Sequence, residues 1–350
     1  MKRMLEEQLS SSAIEISELP GIDDRELAEA VAKTKQIRSQ IGAVILGKEP
    51  TIALVLASLL SGGHVLLEDR PGVGKTVLAR ALAASISADF QRIQCTPDLM
   101  PPDITGYMDP RTGVPKEGPI FANIVLVDEL NRAQPRTQSA FLEAMAEKQV
   151  SIDGKSYPLA KEHFFFVIAT QNPIEHRGVN DLPEAQLDRF QLLLTPGYPD
   201  PKHERQMLID RRFNDPLEDL ENSSDRVTLD EVDQLIKLTQ RVRVASGEDN
   251  HGNDLVKYIL DIVQKTREAK DIIDQGASPR AAIQLMQLAK GYALVQGRRY
   301  VRPDDIKILA MHALPHRIIP VAGSEMIGDT DAKRKCIEMI LNRVPPPGSS

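Results

Sequence analysis

The sequence predicts an α/β core built on a parallel sheet, followed by a smaller all-helical domain. Three observations carry this. Between residues 64 and 195 short apolar strands alternate with helical segments, the pattern of a parallel sheet covered on both faces. One strand-to-helix corner, "LLEDRPGVGKTVLARAL" at 66–82, turns through Pro71, Gly72 and Gly74 and sets Lys75 and Thr76 where a helix begins. After "GYPDP" (197–201) the strand signal stops, and residues 202–320 show only helical periodicity.

Composition bounds the function classes. The chain has 350 residues, enough for about two domains at ~150 residues each. Hydrophobic residues at 41% and charged residues at 27% are ordinary for a soluble globular protein. The longest apolar run, "TIALVLASLL", is well short of the ~18 residues that a membrane-spanning helix needs. The N-terminal "MKRMLEEQLSSSAIEIS" has no signal-peptide core, and Cys95 and Cys336 stand too far apart for a metal motif. The expected location is therefore the reducing cytoplasm. A net charge of −7 and the absence of Trp disfavour nucleic acid as the main partner. Duplex binding normally needs a basic face, and single strands need aromatic platforms. Whole-chain charge still leaves room for a local basic surface.

The elements follow in order. Residues 1–22 read as a flexible leader ending in "LPG". From Asp23 to about Gly47, the residues Leu27, Val31, Ile37, Ile41 and Val44 have helical spacing. "KEPTIALVLASLLSGG" reads as a buried helix closed by Gly62 and Gly63. The strands are "HVLLE" (64–68), "FQRIQC" (90–95), "IVLVD" (124–128), "FFFVIAT" (164–170) and "FQLLLT" (190–195). Helices begin at Lys75 and in "PRTQSAFLEAMAEKQ". Two pieces interrupt the alternation as insertions on the core. One is the Pro- and Gly-rich "TPDLMPPDITGYMDPRTGVPKEGPIFAN". The other is "VSIDGKSYPL", whose Asp153-Gly154 signals a hairpin. The expected division is thus a leader (1–22), an α/β domain (23–200), a helical domain (201–320) and a C-terminal extension (321–350) ending in a disordered "PPPGSS" tail.

The corner at 66–82 carries the clearest chemistry. Helix starts favour Ser, Asp or Asn, with acidic residues in the first turn, so Lys75 there implies something strongly negative in front of the helix. The stretch matches the phosphate-loop pattern G-x-x-x-x-G-K-[ST], except that Asp69 stands where the pattern has its first glycine. Gly72 and Gly74 let backbone N–H groups turn onto phosphate oxygens, and the helix dipole adds positive potential. Lys75 can reach the β and γ phosphates, and the Thr76 hydroxyl can hold Mg²⁺. The bland alternative is a Gly-rich turn with a solvated lysine, disfavoured by the strand before and the helix after.

Further along, "IVLVDE" ends a buried strand in Asp128 and Glu129. Asp128 suits support of Mg²⁺, and Glu129 suits polarising an attacking water. Strands also often end at solvated charges, and it is the phosphate loop upstream that favours the functional reading. Asn172 in "ATQNP" follows another strand, at the sheet edge where ligands bind, and could orient water; alternatively it begins a turn before Pro173. Arg189 ends "LPEAQLDRF", where a surface Asp188–Arg189 ion pair is the default reading. "GASPRAAIQL" starts a helix with Ser278 as cap, Pro279 at N1 and Arg280 at N2. An arginine at N2 opposes the helix dipole and, like Lys75, suggests a nearby anion.

Together these residues resemble the AAA+ ATPases and, within them, the MoxR family, from about residue 38 to about residue 318. The diagnostic stretches are "RIQCTPDLMPPDITGY", "GPIFANIVLVDELNRAQPRTQSAFLEAMAEKQV", "FVIATQNPIEHRGVNDLPEAQLDRF" and "GASPRAAIQLMQLAKGYALVQGRRYVRPDDI". The resemblance implies an AAA+ P-loop NTPase core with a helix-2 insert at 96–122, a hairpin before sensor 1 at 149–159 and a small helical lid domain. It implies a Walker A motif at 72–76, with Val73, Val77 and Gly47 also contacting nucleotide, and a Walker B pair at Asp128 and Glu129. Asn172 would be sensor 1, Arg189 the arginine finger and Arg280 sensor 2. Asp69 lies where the family's loops vary, and the middle of the insert, "MDPRTGVPKEG", is shorter than usual. The implied cofactors are ATP and Mg²⁺, the metal held by Thr76 and Asp128.

An arginine finger needs a neighbour's nucleotide, so the resemblance also implies a ring, of six subunits, that remodels a protein client. MoxR proteins often work with a partner carrying a von Willebrand factor A domain. Three other readings share the core. A nucleic-acid motor would use the hairpin lysines Lys148, Lys155 and Lys161. A magnesium-chelatase-like subunit would drive metal insertion. A nucleotide-dependent scaffold would have no useful turnover, against which Glu129 and Arg189 argue.

Overall fold

A computed structural model describes residues 21–68, 72–159, 162–172, 180, 182–209, 217–244, 252–321 and 330–347. The expected leader lies outside these residues up to Pro20, as do Asp69 and the last three residues of the tail. The first helix, α1 (Asp24–Val44), opens with a capping box. Asp23 Oδ1 accepts from the Glu26 N–H at 2.8 Å, and Glu26 Oε2 accepts from the Asp23 N–H at 3.0 Å. Helix α2 (Glu49–Leu60) follows and is apolar all round, with every residue from Ile52 to Leu60 buried. A helix without a polar face belongs inside a core.

The five-stranded sheet contains β1 (Val65–Glu68), β2 (Phe90–Gln94), β5 (Ile124–Asp128), β8 (Phe166–Gln171) and β9 (Leu192–Leu194). Its spatial order is β2-β5-β8-β1-β9, and every neighbouring pair is parallel. Parallel neighbours require crossovers, supplied by α3 (Lys75–Ser85) after β1 and α5 (Pro135–Glu147) after β5. Both faces of the sheet are covered. Val65, Leu67, Leu126 and Ile168 face one apolar cluster, while Leu66, Val125, Val127 and Val167 face the other. Register pairs Gln94 with Asp128 and Glu68 with Gln171, so the carboxyl ends of four strands share one edge.

Strand β9 is shorter than the apolar run 190–195 predicts. The carbonyl of Phe190 accepts from His316 and Arg317 instead of a strand partner, which holds this residue out of the sheet. The segment after β2 holds a short helix α4 (Pro101–Thr105) and an antiparallel pair, β3 (Gly106–Met108) with β4 (Pro115–Glu117). The second insertion is a hairpin, β6 (Gln149–Ile152) and β7 (Lys155–Pro158). Its turn residues Asp153 and Gly154 both take positive φ, at 53° and 79°, as a two-residue hairpin turn requires.

A single-turn helix, α6 (Glu184–Leu187), stands between β8 and β9, and the C-terminal part comprises α7 (Pro201–Ile209), α8 (Glu218–Glu221), α9 (Leu229–Gln240), α10 (Gly252–Glu268), α11 (Pro279–Val295), α12 (Pro303–Ala313) and α13 (Thr330–Arg343). A small antiparallel pairing of β10 (Ile273–Gln275) with β11 (Ile319–Pro320) lies among these helices. Helix α13, with Cys336, Ile337 and Ile340 buried, occupies part of the 321–350 segment. Helix α11 packs on α2, so one apolar cluster runs from the sheet into the helical part. Both cysteines are free and buried. Among the described residues, no helix is long and apolar enough to cross a membrane.

Candidate active site

The carboxyl edge of the sheet opens into a cleft of about 360 Å³. Gly72, Gly74, Lys75, Thr76 and Val77 form one wall, and Asp128, Glu129, Thr170, Gln171 and Asn172 form the other. The first wall is the turn from β1 into α3. Gly72 and Gly74 have φ of +87° and +85°, which side-chain-bearing residues rarely adopt, and among the described residues a Cβ at either would meet nothing within 4 Å. Their missing side chains therefore leave an open cradle in front of the helix. Gly74 occupies the N-cap position and has no side chain to cap α3, so the positive end of the helix faces the cleft.

The second wall comes from β5 and β8, neighbours in the sheet. Thr170 joins them: its hydroxyl donates to Asp128 Oδ1 at 2.7 Å and accepts from the Glu129 N–H at 2.9 Å. Glu129 has left-handed backbone angles (φ 56°, ψ 50°), uncommon for a residue with a side chain and carrying a cost of order 1–3 kcal/mol. That backbone turn re-aims the glutamate where the strand ends, and the Thr170 bond helps to hold it. Asn172, one residue past β8, is 9% exposed and lines the same cleft.

The acids are already matched to cations. Arg92 places Nη2 at 2.6 Å and Nε at 3.1 Å from Asp128 Oδ2. Glu129 Oε2 accepts from Gln94 Nε2 at 2.9 Å and lies 3.1 Å from Arg132 Nε. Arg92 also donates to Gln94 Oε1 at 2.7 Å, tying the two contacts together. The Cys95 thiol, next in sequence, is pushed up to about 12 by burial and by the charges of Asp128 and Glu129, which disfavours the thiolate.

Thr170, Gln94 and Arg92 do not stand out in the sequence reading. A signal for the last two was present: "FQRIQ" places Arg92 and Gln94 on the same side of a strand, where period two ordinarily sets one kind of residue. Only the sheet order, with β2 beside β5, shows what they face.

Four expected residues are not among those lining the cleft: Val73, between the two glycines of the turn, and three that lie elsewhere. Gly47 sits between α1 and α2 with φ +74°, against the His203 ring of α7. Arg189 follows the single-turn helix α6 and donates from Nη1 to the Leu142 carbonyl of α5. Arg280 is exposed at the start of α11. The default Asp188–Arg189 ion pair is absent, because Asp188 pairs instead with Arg317 at 3.0 Å. Ser278 is at the N-cap of α11, but its hydroxyl does not cap its own helix. It donates to Asp188 Oδ2 at 3.0 Å, a charge-assisted bond that draws the side chain to the carboxylate.

Comparison with known proteins agrees with this geometry. A family model described as "ATPase family associated with various cellular activities (AAA)" matches residues 64–192, and an "AAA lid domain" model matches residues 265–335. The "Uncharacterized protein YeaC" of Bacillus subtilis (strain 168) is 47% identical over 283 residues, covering 80% of this chain and 84% of that protein. "Chaperone MoxR1" of Mycobacterium tuberculosis is 37% identical over 331 residues, covering 91% of this chain and 82% of that protein. A crystal structure from Cytophaga hutchinsonii is 36% identical with a TM-score of 0.79, covering 92% of this chain and 97% of that one. A phosphate-loop corner facing an acid pair across one cleft, and a similarity that runs through both the sheet and the lid, have one reading: the chain belongs to the MoxR family of AAA+ ATPases.

Proposed function

We propose that this ATPase works as a ring, of six subunits, that remodels, assembles or activates a protein client together with a partner carrying a von Willebrand factor A domain. The observation that carries the reading is the cleft in which Lys75 and Thr76 face Asp128, Glu129 and Asn172. The backbone N–H groups from Gly72 to Thr76 bind phosphate oxygens, Lys75 neutralises the β and γ phosphates, Val73 and Val77 adjoin the nucleotide, and Gly47, outside the cleft, contacts it beyond the phosphates. Thr76 and Asp128 would hold Mg²⁺, which when bound spreads the charge that develops on the transferring phosphate. The hydroxyl, the carboxylate and the open glycine cradle fit that pairing of metal and triphosphate.

Glu129 takes a proton from the attacking water, and Asn172 orients that water with its amide. For Glu129 to act, its carboxylate must be released from Gln94 and Arg132 or must use the oxygen that neither contacts, since both fall on Oε2. Arg280 serves the chain's own nucleotide and Arg189 a neighbour's, which is why a ring is needed. The cytoplasm is the expected site of action.

Two variants test the site. Lys75→Ala should lose most of its affinity for ATP. Glu129→Gln should bind ATP and hydrolyse it slowly, because the amide keeps the shape but removes the negative charge that activates water. Unchanged ATP affinity in the first, or unchanged turnover in the second, refutes the assignment. Stimulation of the wild-type ATPase by DNA at moderate salt would favour a nucleic-acid motor instead.

A further inference from the structure

The turn Pro315–Arg317, directly after α12, carries an arginine whose side chain is 1% exposed. Burying a guanidinium costs several kcal/mol even after relaxation, so its N–H groups need acceptors. Arg317 Nε lies 3.0 Å from Asp188 Oδ1, an ion pair out of hydrogen-bond alignment, and Nη1 donates to the Ala313 carbonyl at 3.0 Å. Nη2 donates to the carbonyls of Phe190 at 2.7 Å and Asp188 at 3.3 Å, and to Gln284 Oε1 on α11. All but the Ala313 contact reach either the Asp188–Phe190 segment or α11.

The adjacent His316 is also buried, and its Nε2 donates to the same Phe190 carbonyl at 2.8 Å. Burial and the neighbouring Arg317 charge hold His316 well below the usual histidine range, so no second cation competes at neutral pH. Arg317 itself is pushed down to about 10 by burial, against the pull of Asp188, and stays charged at neutral pH.

Asp188 uses its other oxygen for a different element: Oδ2 accepts from Ser278 Oγ at 3.0 Å. One carboxylate, 19% exposed, therefore touches the residue two before Arg280 and itself immediately precedes Arg189. Buried ion pairs contribute little net stability compared with apolar packing, and their best-attested use is to select one arrangement over others. The arrangement selected here is that of the Asp188–Arg189 turn relative to the start of α11.

We propose that the buried Arg317–Asp188 pair is a strut that positions Arg189 and Arg280 as a single unit, coupling the arginine aimed at a neighbour's nucleotide to the arginine that serves the chain's own. The proposal rests on the roles given to those two arginines above. Arg317 is a positioning residue. It is tied to Arg189 through Asp188 and to the start of α11 through Asp188 and Ser278, and its charge also acts directly on that of Arg280, so its loss should impair two active sites at once.

Complementation between subunits tests this. Lys75→Ala carries a dead pocket and a sound Arg189, whereas Arg189→Ala carries a sound pocket and no finger. A lesion confined to the finger is rescued by mixing with the first, and a lesion confined to the chain's own pocket is rescued by mixing with the second. Arg317→Met, which keeps the stem and removes the fork, should be rescued by neither. It should also bind a fluorescent ATP analogue several-fold more weakly, with turnover lowered by on the order of 10²-fold, the scale of a ~1 Å misplacement. If Arg317→Met does not fold, Asp188→Asn, which keeps the shape of the side chain, carries the same expectation. Rescue by either partner, or unchanged analogue affinity, overturns the coupling and leaves a pair that merely stabilises the fold. Arg189→Ala and Arg280→Ala run alone separate the two failures. If both turn over normally, the roles assigned to those arginines are wrong; if both fail while Arg317→Met is rescued, only the strut is wrong.

Discussion

Gly291 lies inside α11, where helix propensity alone favours alanine by about 1 kcal/mol. On that ground Gly291→Ala should stabilise the protein; the tertiary structure reverses the sign. Helix α11 crosses α2 so closely that a Cβ at position 291 would stand 2.4 Å from the Ala57 carbonyl oxygen and 3.3 Å from Ser61 Cβ. That oxygen cannot swing aside, because it accepts from the Ser61 N–H at 3.0 Å and the Ser61 hydroxyl at 2.8 Å. The helices must separate by roughly 1 Å to restore van der Waals contact, and overpacking of this kind typically costs about 1–3 kcal/mol. Subtracting the propensity gain from the middle of that range leaves a net loss of about 1 kcal/mol. Urea denaturation followed by circular dichroism reads this as a lower midpoint. The shift should also reach the site, because α11 begins at Pro279 beside Arg280 and α2 leads into β1 and the phosphate loop. Nucleotide affinity should therefore fall together with stability. A variant as stable as wild type, or more so, would refute the close-packing argument.

Arg189→Ala should bind ATP almost normally yet lose turnover steeply, since arginine fingers contribute on the order of 10³–10⁵ in rate in other NTPases. Mixing it with Lys75→Ala should restore part of the ATPase rate, and no rescue despite co-assembly would deny Arg189 a role in a neighbour's site. Acid should unfold the chain through its histidines, because desolvation holds the buried His64 and the half-buried His312 down at about 4, and the buried His316 well below the usual range, against an ordinary value of about 6.5. The unfolded chain gains these protons as pH falls below 6.5 while the folded chain refuses them until about 4, so stability is full above that window and declines across it, by up to about 3 kcal/mol per fully buried histidine. A urea midpoint that stays flat from pH 7 to pH 5 would contradict it.

Much of the site was legible because its chemistry is local in sequence. The turn through Gly72 and Gly74 into Lys75 and Thr76 is one corner of chain, where backbone freedom and helix polarity decide the ligand class. The same holds for Asp128 and Glu129 at a strand end, and for the Asp153-Gly154 hairpin. Alternating strands and helices likewise determine a parallel sheet, because parallel neighbours cannot be joined by a tight turn.

Contacts between distant segments were not legible. Thr170 bridging Asp128 and Glu129 depends on β8 lying beside β5, and Arg92 reaching Asp128 depends on β2 lying on the other side. Asp188 and Arg189 look like an ion pair to each other, but the fold brings Arg317 from 129 residues away to claim Asp188. Ser278 has the sequence position of a helix cap and spends its hydroxyl on that same carboxylate. Composition and periodicity report what one segment can do with its own neighbours. Which charge meets which across the core is set only when sheet order and helix packing bring the segments together, since a charge interaction depends on separation in space and not along the chain.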